Sequence, residues 1–108
     1  MPYLPSLPLG AAPNNRRDKM KTIWKFRITG DQTIEMPGGA KVLCVQEQKG
    51  DPYLWALVDS DTPTSKRAFS IFGTGHDVPS DPGSYIGTFQ LNDGQFVFHV
   101  FEKEEGTR

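Results

Sequence analysis

Residues 84–101 read SYIGTFQLNDGQFVFHVF, and this stretch decides the fold. Ser84 to Leu91 and Gln95 to Phe101 are strand-like runs. Asn92, Asp93 and Gly94 between them form the strongest hairpin signal in the chain, because Asn and Gly tolerate the positive φ that tight turns demand. In the second run Phe96, Phe98 and Val100 alternate with Val97, His99 and Phe101. Successive side chains of a strand point to opposite faces, so a run apolar on both faces is expected in the interior of a sheet.

The same period of two recurs towards the N-terminus. Lys66 to Phe72 sets Phe69 and Ile71 against Ala68, Ser70 and Phe72, and Tyr53 to Val58 sets Tyr53, Trp55 and Leu57 against Leu54, Ala56 and Val58. Lys41 to Gln48 is apolar on both faces at its centre and is joined to the Tyr53 strand by a turn expected at Gly50, Asp51 and Pro52. Gln32 to Met36 is a shorter strand closed by Pro37, Gly38 and Gly39. In Thr22 to Ile28, Trp24, Phe26 and Ile28 fall on one face and Lys25 and Arg27 on the other. No helical period runs uninterrupted by Gly or Pro for the roughly ten residues a helix needs. The expectation is an all-β domain over residues 20–102, a small antiparallel barrel or sandwich of about six to seven strands. A sheet edge left open in so small a domain favours a homo-oligomer.

At 108 residues the chain suffices for one core. Lys and Arg number 12 against 13 Asp and Glu, so no global field draws in long nucleic acid or an anionic membrane. Cys44 is the only cysteine, which excludes an internal disulfide and cysteine-cluster zinc sites and fits a reducing, cytoplasmic setting. No apolar run approaches the roughly 20 residues of a membrane span. Residues 1–19 contain Pro2, Pro5, Pro8 and Pro13 and end in a polar run from Asn14 to Lys19. They are expected to be either a disordered arm or an extension upstream of a start at Met20, with packing of Tyr3 or Leu4 on a neighbouring subunit as a further alternative. Residues 103–108 form a charged tail.

Gly73-Thr74-Gly75-His76 is the run with the clearest chemical potential. Glycines around a small hydroxyl residue let backbone N–H groups converge on an anion or carbonyl, and His76 adds a donor or proton carrier. The competing reading is a wide turn whose glycines serve positive-φ positions, since Pro79 and Pro82 prevent the helix that usually follows a phosphate loop. His99 is expected to be a core histidine satisfied by a backbone carbonyl, and no set of metal-ligand spacings accompanies it. Ser70, Ser80 and Ser84 lack any nucleophile signature. Asp59 with Asp61, and Asp77 with Asp81, are expected turn residues. Basic residues from Arg16 to Arg27 beside Trp24 suit either a solvated strand face or a nucleotide held by charge and stacking. Trp24 and Trp55 are expected in the core unless the fold exposes them.

Trp55-Ala56-Leu57-Val58, the Gly73–His76 loop, Tyr85-Ile86-Gly87-Thr88 and His99-Val100-Phe101-Glu102 together resemble a family of short uncharacterised proteins found in phages, prophages and bacterial genomes. Met20 to Phe26 is similar to their usual first strand, and the likeness spans roughly residues 20–102. The resemblance implies no catalytic residues and no cofactor. It implies an accessory role of the phage type, such as an oligomeric signal sponge that sequesters immune messenger nucleotides without cleaving them, with ligand contacts in pockets between subunits from Gly73, Thr74, Gly75, His76, Arg27, Trp55 and Tyr85. The rival expectation is a homo-oligomeric interaction protein that binds a host or virion protein, and an enzyme ranks third.

Overall fold

The computed structural model describes residues 20–103. The expectations for residues 1–19 and 104–108 lie outside the described residues. Seven strands follow in order: β1 Thr22–Arg27, β2 Gln32–Pro37, β3 Lys41–Gln48, β4 Asp51–Val58, β5 Thr64–Gly73, β6 Ser84–Leu91 and β7 Phe96–Glu102. They form a three-stranded sheet β1-β4-β3 and a four-stranded sheet β2-β5-β7-β6, both antiparallel. This is a sandwich and not a closed barrel. β7 lies inside its sheet, as its two apolar faces require.

The inner faces meet in one core. Phe26, Leu54, Ala56, Val58 and Val45 from the first sheet oppose Ile34, Met36, Phe69, Phe89 and Val100 from the second, all buried. Full burial of each large side chain is worth about 1.5–3 kcal/mol, so these positions carry most of the stability. Where β3 and β6 pass each other, a Cβ on Gly87 would lie 2.7 Å from Val45 Cγ1. Glycine at this point permits the close packing of the two sheets.

The turn between β3 and β4 differs from expectation. It is the two-residue pair Lys49 and Gly50, at φ 54° and 90°, with Gln48 opposite Asp51. The Glu47 carboxylate accepts the Gly50 N–H at 2.5 Å, which helps hold Lys49 in its left-handed conformation. Asp51 and Pro52 therefore belong to β4. Pro52 is tolerated there because it lies at the end of the ladder with β1, where its carbonyl accepts from Ile28 N–H (3.0 Å). The hairpin at Asn92–Gly94 is as read, with φ of 55°, 57° and 86°. Asp59 acts as the expected turn residue, its Oδ1 accepting from Asp61 N–H at 3.0 Å.

One polar clasp ties the strands together. Arg67 projects from β5 on the core side and grips Glu102 of β7 through Nε–Oε2 (2.6 Å) and Nη2–Oε1 (3.0 Å), while Nη1 donates to the Ala40 carbonyl (2.5 Å). The two side chains are only 19% and 18% exposed.

Candidate functional site

The outward face of the four-stranded sheet carries an open pocket of about 260 Å³. Register explains its floor. Phe101 stands opposite Tyr85 on one side and Ser70 on the other, and His99 stands between Thr88 and Phe72 in the next row. The rings of Phe72 and Tyr85 meet Phe101 edge-on, at centroid distances of 5.8 and 5.5 Å. The segment after β5 forms the rim with Thr74, Gly75, His76 and Val78. It begins as a turn closed by His76 N–H to the Gly73 carbonyl (3.0 Å), with Gly75 at φ 89° in the position that only glycine adopts without strain.

The His76 ring lies over Gly73, so a Cβ there would come within 2.9 Å of it. Gly73→Ala is expected to turn His76 away from the rim at a stability cost of no more than about 1 kcal/mol, because the ring can rotate aside. The His76 ring proton shifts in NMR report the move; unchanged shifts would contradict this packing.

His99 is not the core histidine that its strand position suggested. It lies half-buried on the outward face, and its partners are hydroxyls: Thr74 Oγ1 at 2.7 Å from Nε2 and Thr88 Oγ1 at 2.9 Å from Nδ1. The Thr88 hydroxyl in turn meets the Tyr85 hydroxyl at 2.5 Å. Thr74 Oγ1 donates to the Val97 carbonyl (3.4 Å), which leaves its lone pairs to accept from Nε2–H. The consistent assignment is Tyr85 O–H to Thr88, Thr88 O–H to Nδ1, and Nε2–H to Thr74. This chain fixes the imidazole plane without a carboxylate.

Gly73, Thr74, Gly75, His76 and Tyr85 thus converge on one pocket. Arg27 and Trp55 do not join them within one chain. They alternate to the outward face of the three-stranded sheet, where Trp55 pairs across with Lys25 and Cys44, and Arg27 with Tyr53. Trp24, by contrast, packs against the core. Phe72, Phe101 and Val78 join the site without having been singled out, Thr88 joins it through its hydroxyl, and His99 joins it in place of the core position it was expected to hold. The Thr88–His99 pair was accessible by counting back from the Asn92–Gly94 turn, which sets Thr88 opposite His99. The approach of Thr74 to His99 depends on how β5 runs past β7 and has no local signal. Among the described residues no group of His, Cys, Asp and Glu could hold a metal, and no helix is long and apolar enough to cross a membrane.

Fold and pocket define a small antiparallel β-sandwich with an aromatic depression on one sheet face. The profile of a family described as Domain of unknown function (DUF7352) matches residues 20–108, and the chain belongs to that family. No curated protein and no solved structure matches it.

Proposed function

We propose that this chain is a non-enzymatic accessory protein that binds a small nucleotide-like ligand by its ring. The observation that carries this reading is the composition of the pocket wall. Phe72, Tyr85 and Phe101 offer ring surfaces, His76, Thr74 and the Tyr85 hydroxyl offer polar atoms at the edge, and no Lys or Arg is among the described lining residues. A planar heterocycle with hydrogen-bonding edges is the ligand class that such a wall complements. Any phosphates on it point to solvent. The resemblance to phage and prophage proteins supports a cytoplasmic role in sequestering an immune signalling nucleotide, with several copies of the chain assembled together.

Calorimetric titration with nucleosides, their phosphates, cyclic dinucleotides and cyclic ADP-ribose isomers tests it. The expected result is a base-selective interaction in which a nucleoside and its phosphate bind with affinities within a few-fold of each other. Tyr85 is 59% exposed, so Tyr85→Ala leaves the fold intact; it is expected to weaken binding roughly tenfold, the scale of one lost aromatic contact. No heat with any of these ligands, or unaltered affinity in Tyr85→Ala, would remove the proposal.

A further inference from the structure

We infer that the outward face of the three-stranded sheet is a second binding surface, for single-stranded nucleic acid. It is separate from the pocket, which lies on the outward face of the other sheet, and depends on none of the pocket's residues.

The strand register arranges this face in three rows. Arg27, Tyr53 and Gln46 form the first, Lys25, Trp55 and Cys44 the second, and Ile23, Leu57 and Lys41 the third. Read along the strands, β4 therefore supplies a central column of Tyr53, Trp55 and Leu57, and β1 supplies cations along one flank. The rings of Tyr53 and Trp55 stand 5.8 Å apart and are tilted by 56°. Neighbouring bases stacked on one another lie about 3.4 Å apart, so the two rings cannot serve a stacked pair and each takes its own base from an extended strand. Base stacking on aromatic side chains within a basic track is how single strands are held without regard to sequence.

Charge complementarity names the ligand. Among the described strand residues that alternate to this face, Lys25, Arg27 and Lys41 are cationic and Asp51 is the one acid. Lys25 Nζ sits 4.5 Å above the Tyr53 ring centroid and is steadied by Gln48 Oε1 at 2.5 Å. Arg27 Nη2 pairs with Asp51 Oδ1 at 3.0 Å, yet the side chains are 56% and 43% exposed, so the guanidinium keeps further N–H donors facing water. A phosphate backbone running along β1 with bases turned onto β4 satisfies both columns at once. The net charge of -1 does not oppose this, because it averages over a chain whose cations are locally grouped.

Fluorescence anisotropy of the full chain with a labelled oligothymidylate of about a dozen nucleotides is the test. Binding at low salt is expected, with affinity lowered at least roughly tenfold by the double variant Tyr53→Ala, Trp55→Ala. Lys25→Gln and Arg27→Gln are each expected to reduce the slope of log affinity against log salt by about 0.7. These two changes lie on the surface and decide the matter even where the double aromatic variant fails to fold. The inference is overturned by the absence of binding, by equal affinity for a duplex of the same length, or by salt slopes that the cation variants leave unchanged. It is overturned equally if light scattering shows a dimer abolished by the aromatic variant while no oligonucleotide binds, since the face would then belong to a second copy of this chain.

Discussion

Gly83→Ala is expected to lower the melting temperature by about 12–32 °C. Gly83 enters β6 at φ 101°, where a side chain is strained by about 1–3 kcal/mol. Space is short as well. An added Cβ would collide with the Glu102 carbonyl oxygen and lie 2.8 Å from the Glu102 carbonyl carbon and 3.1 Å from Lys103 Cα. These are backbone atoms, which cannot rotate aside. Strain and collision together come to about 3–4 kcal/mol, and for a domain of this size each kcal/mol shifts the midpoint by about 4–8 °C. Thermal unfolding followed by circular dichroism measures the change. Because the segment that frames the pocket is tied to the sheet at Gly83, ring-ligand binding is expected to fall with it, whereas Gly75, whose Cβ would meet nothing within 4 Å, gives a milder result. A midpoint within a few degrees of the parent's would mean that β6 does not begin against the end of β7.

Arg67→Ala is expected to cost about 3 kcal/mol. Removing the guanidinium strands the Glu102 carboxylate on the core side of the sheet and leaves the Ala40 carbonyl without this donor, and breaking a well-formed pair in such surroundings costs about 3–5 kcal/mol when fully buried. The 19% and 18% exposure of the pair places this one at the lower end. Arg67→Lys recovers only part, since an ammonium cannot reproduce the paired N–H contacts. Replacing both partners together, Arg67→Met with Glu102→Leu, is expected to restore most of the loss, because no charge then remains to be desolvated. Urea denaturation of the three variants distinguishes these outcomes. An additive double variant would show that the side chains act independently.

All seven strands were legible because this fold buries one face of nearly every strand, and alternation survives wherever that holds. Bounds moved by one or two residues at the ends of five strands, β5 for example taking in Thr64, Ser65 and Gly73, and turn chemistry competed with strand pairing between β3 and β4. Asp51 and Pro52 look like turn residues in isolation, but the Glu47 carboxylate stabilises Lys49-Gly50 as the turn and draws them into β4. The choice between barrel and sandwich was not legible, since it depends on whether β3 and β6 join by a ladder or merely pack through Val45 and Gly87. For the site, the glycine loop and Tyr85 could be found from residue type. His99 was misplaced because alternation says that a residue lies opposite its neighbours, never which side faces the core. Arg27 and Trp55 were grouped with the loop by chemistry alone; within one chain they stand on the other sheet, so only a second copy could bring them to it.

The hydroxyl chain through His99 has a direction, and that direction is set at its exposed end. As assigned, Tyr85 gives its proton inward and offers solvent only an oxygen lone pair. A visitor that donates to Tyr85 leaves the order intact. One that accepts from it reverses every link, so that Thr88 gives to Tyr85, Nδ1 takes over the ring proton and Thr74 turns its own hydrogen towards Nε2. The imidazole thereby becomes an internal recorder of what touches the phenol, and nitrogen chemical shifts can read which of the two tautomers it holds.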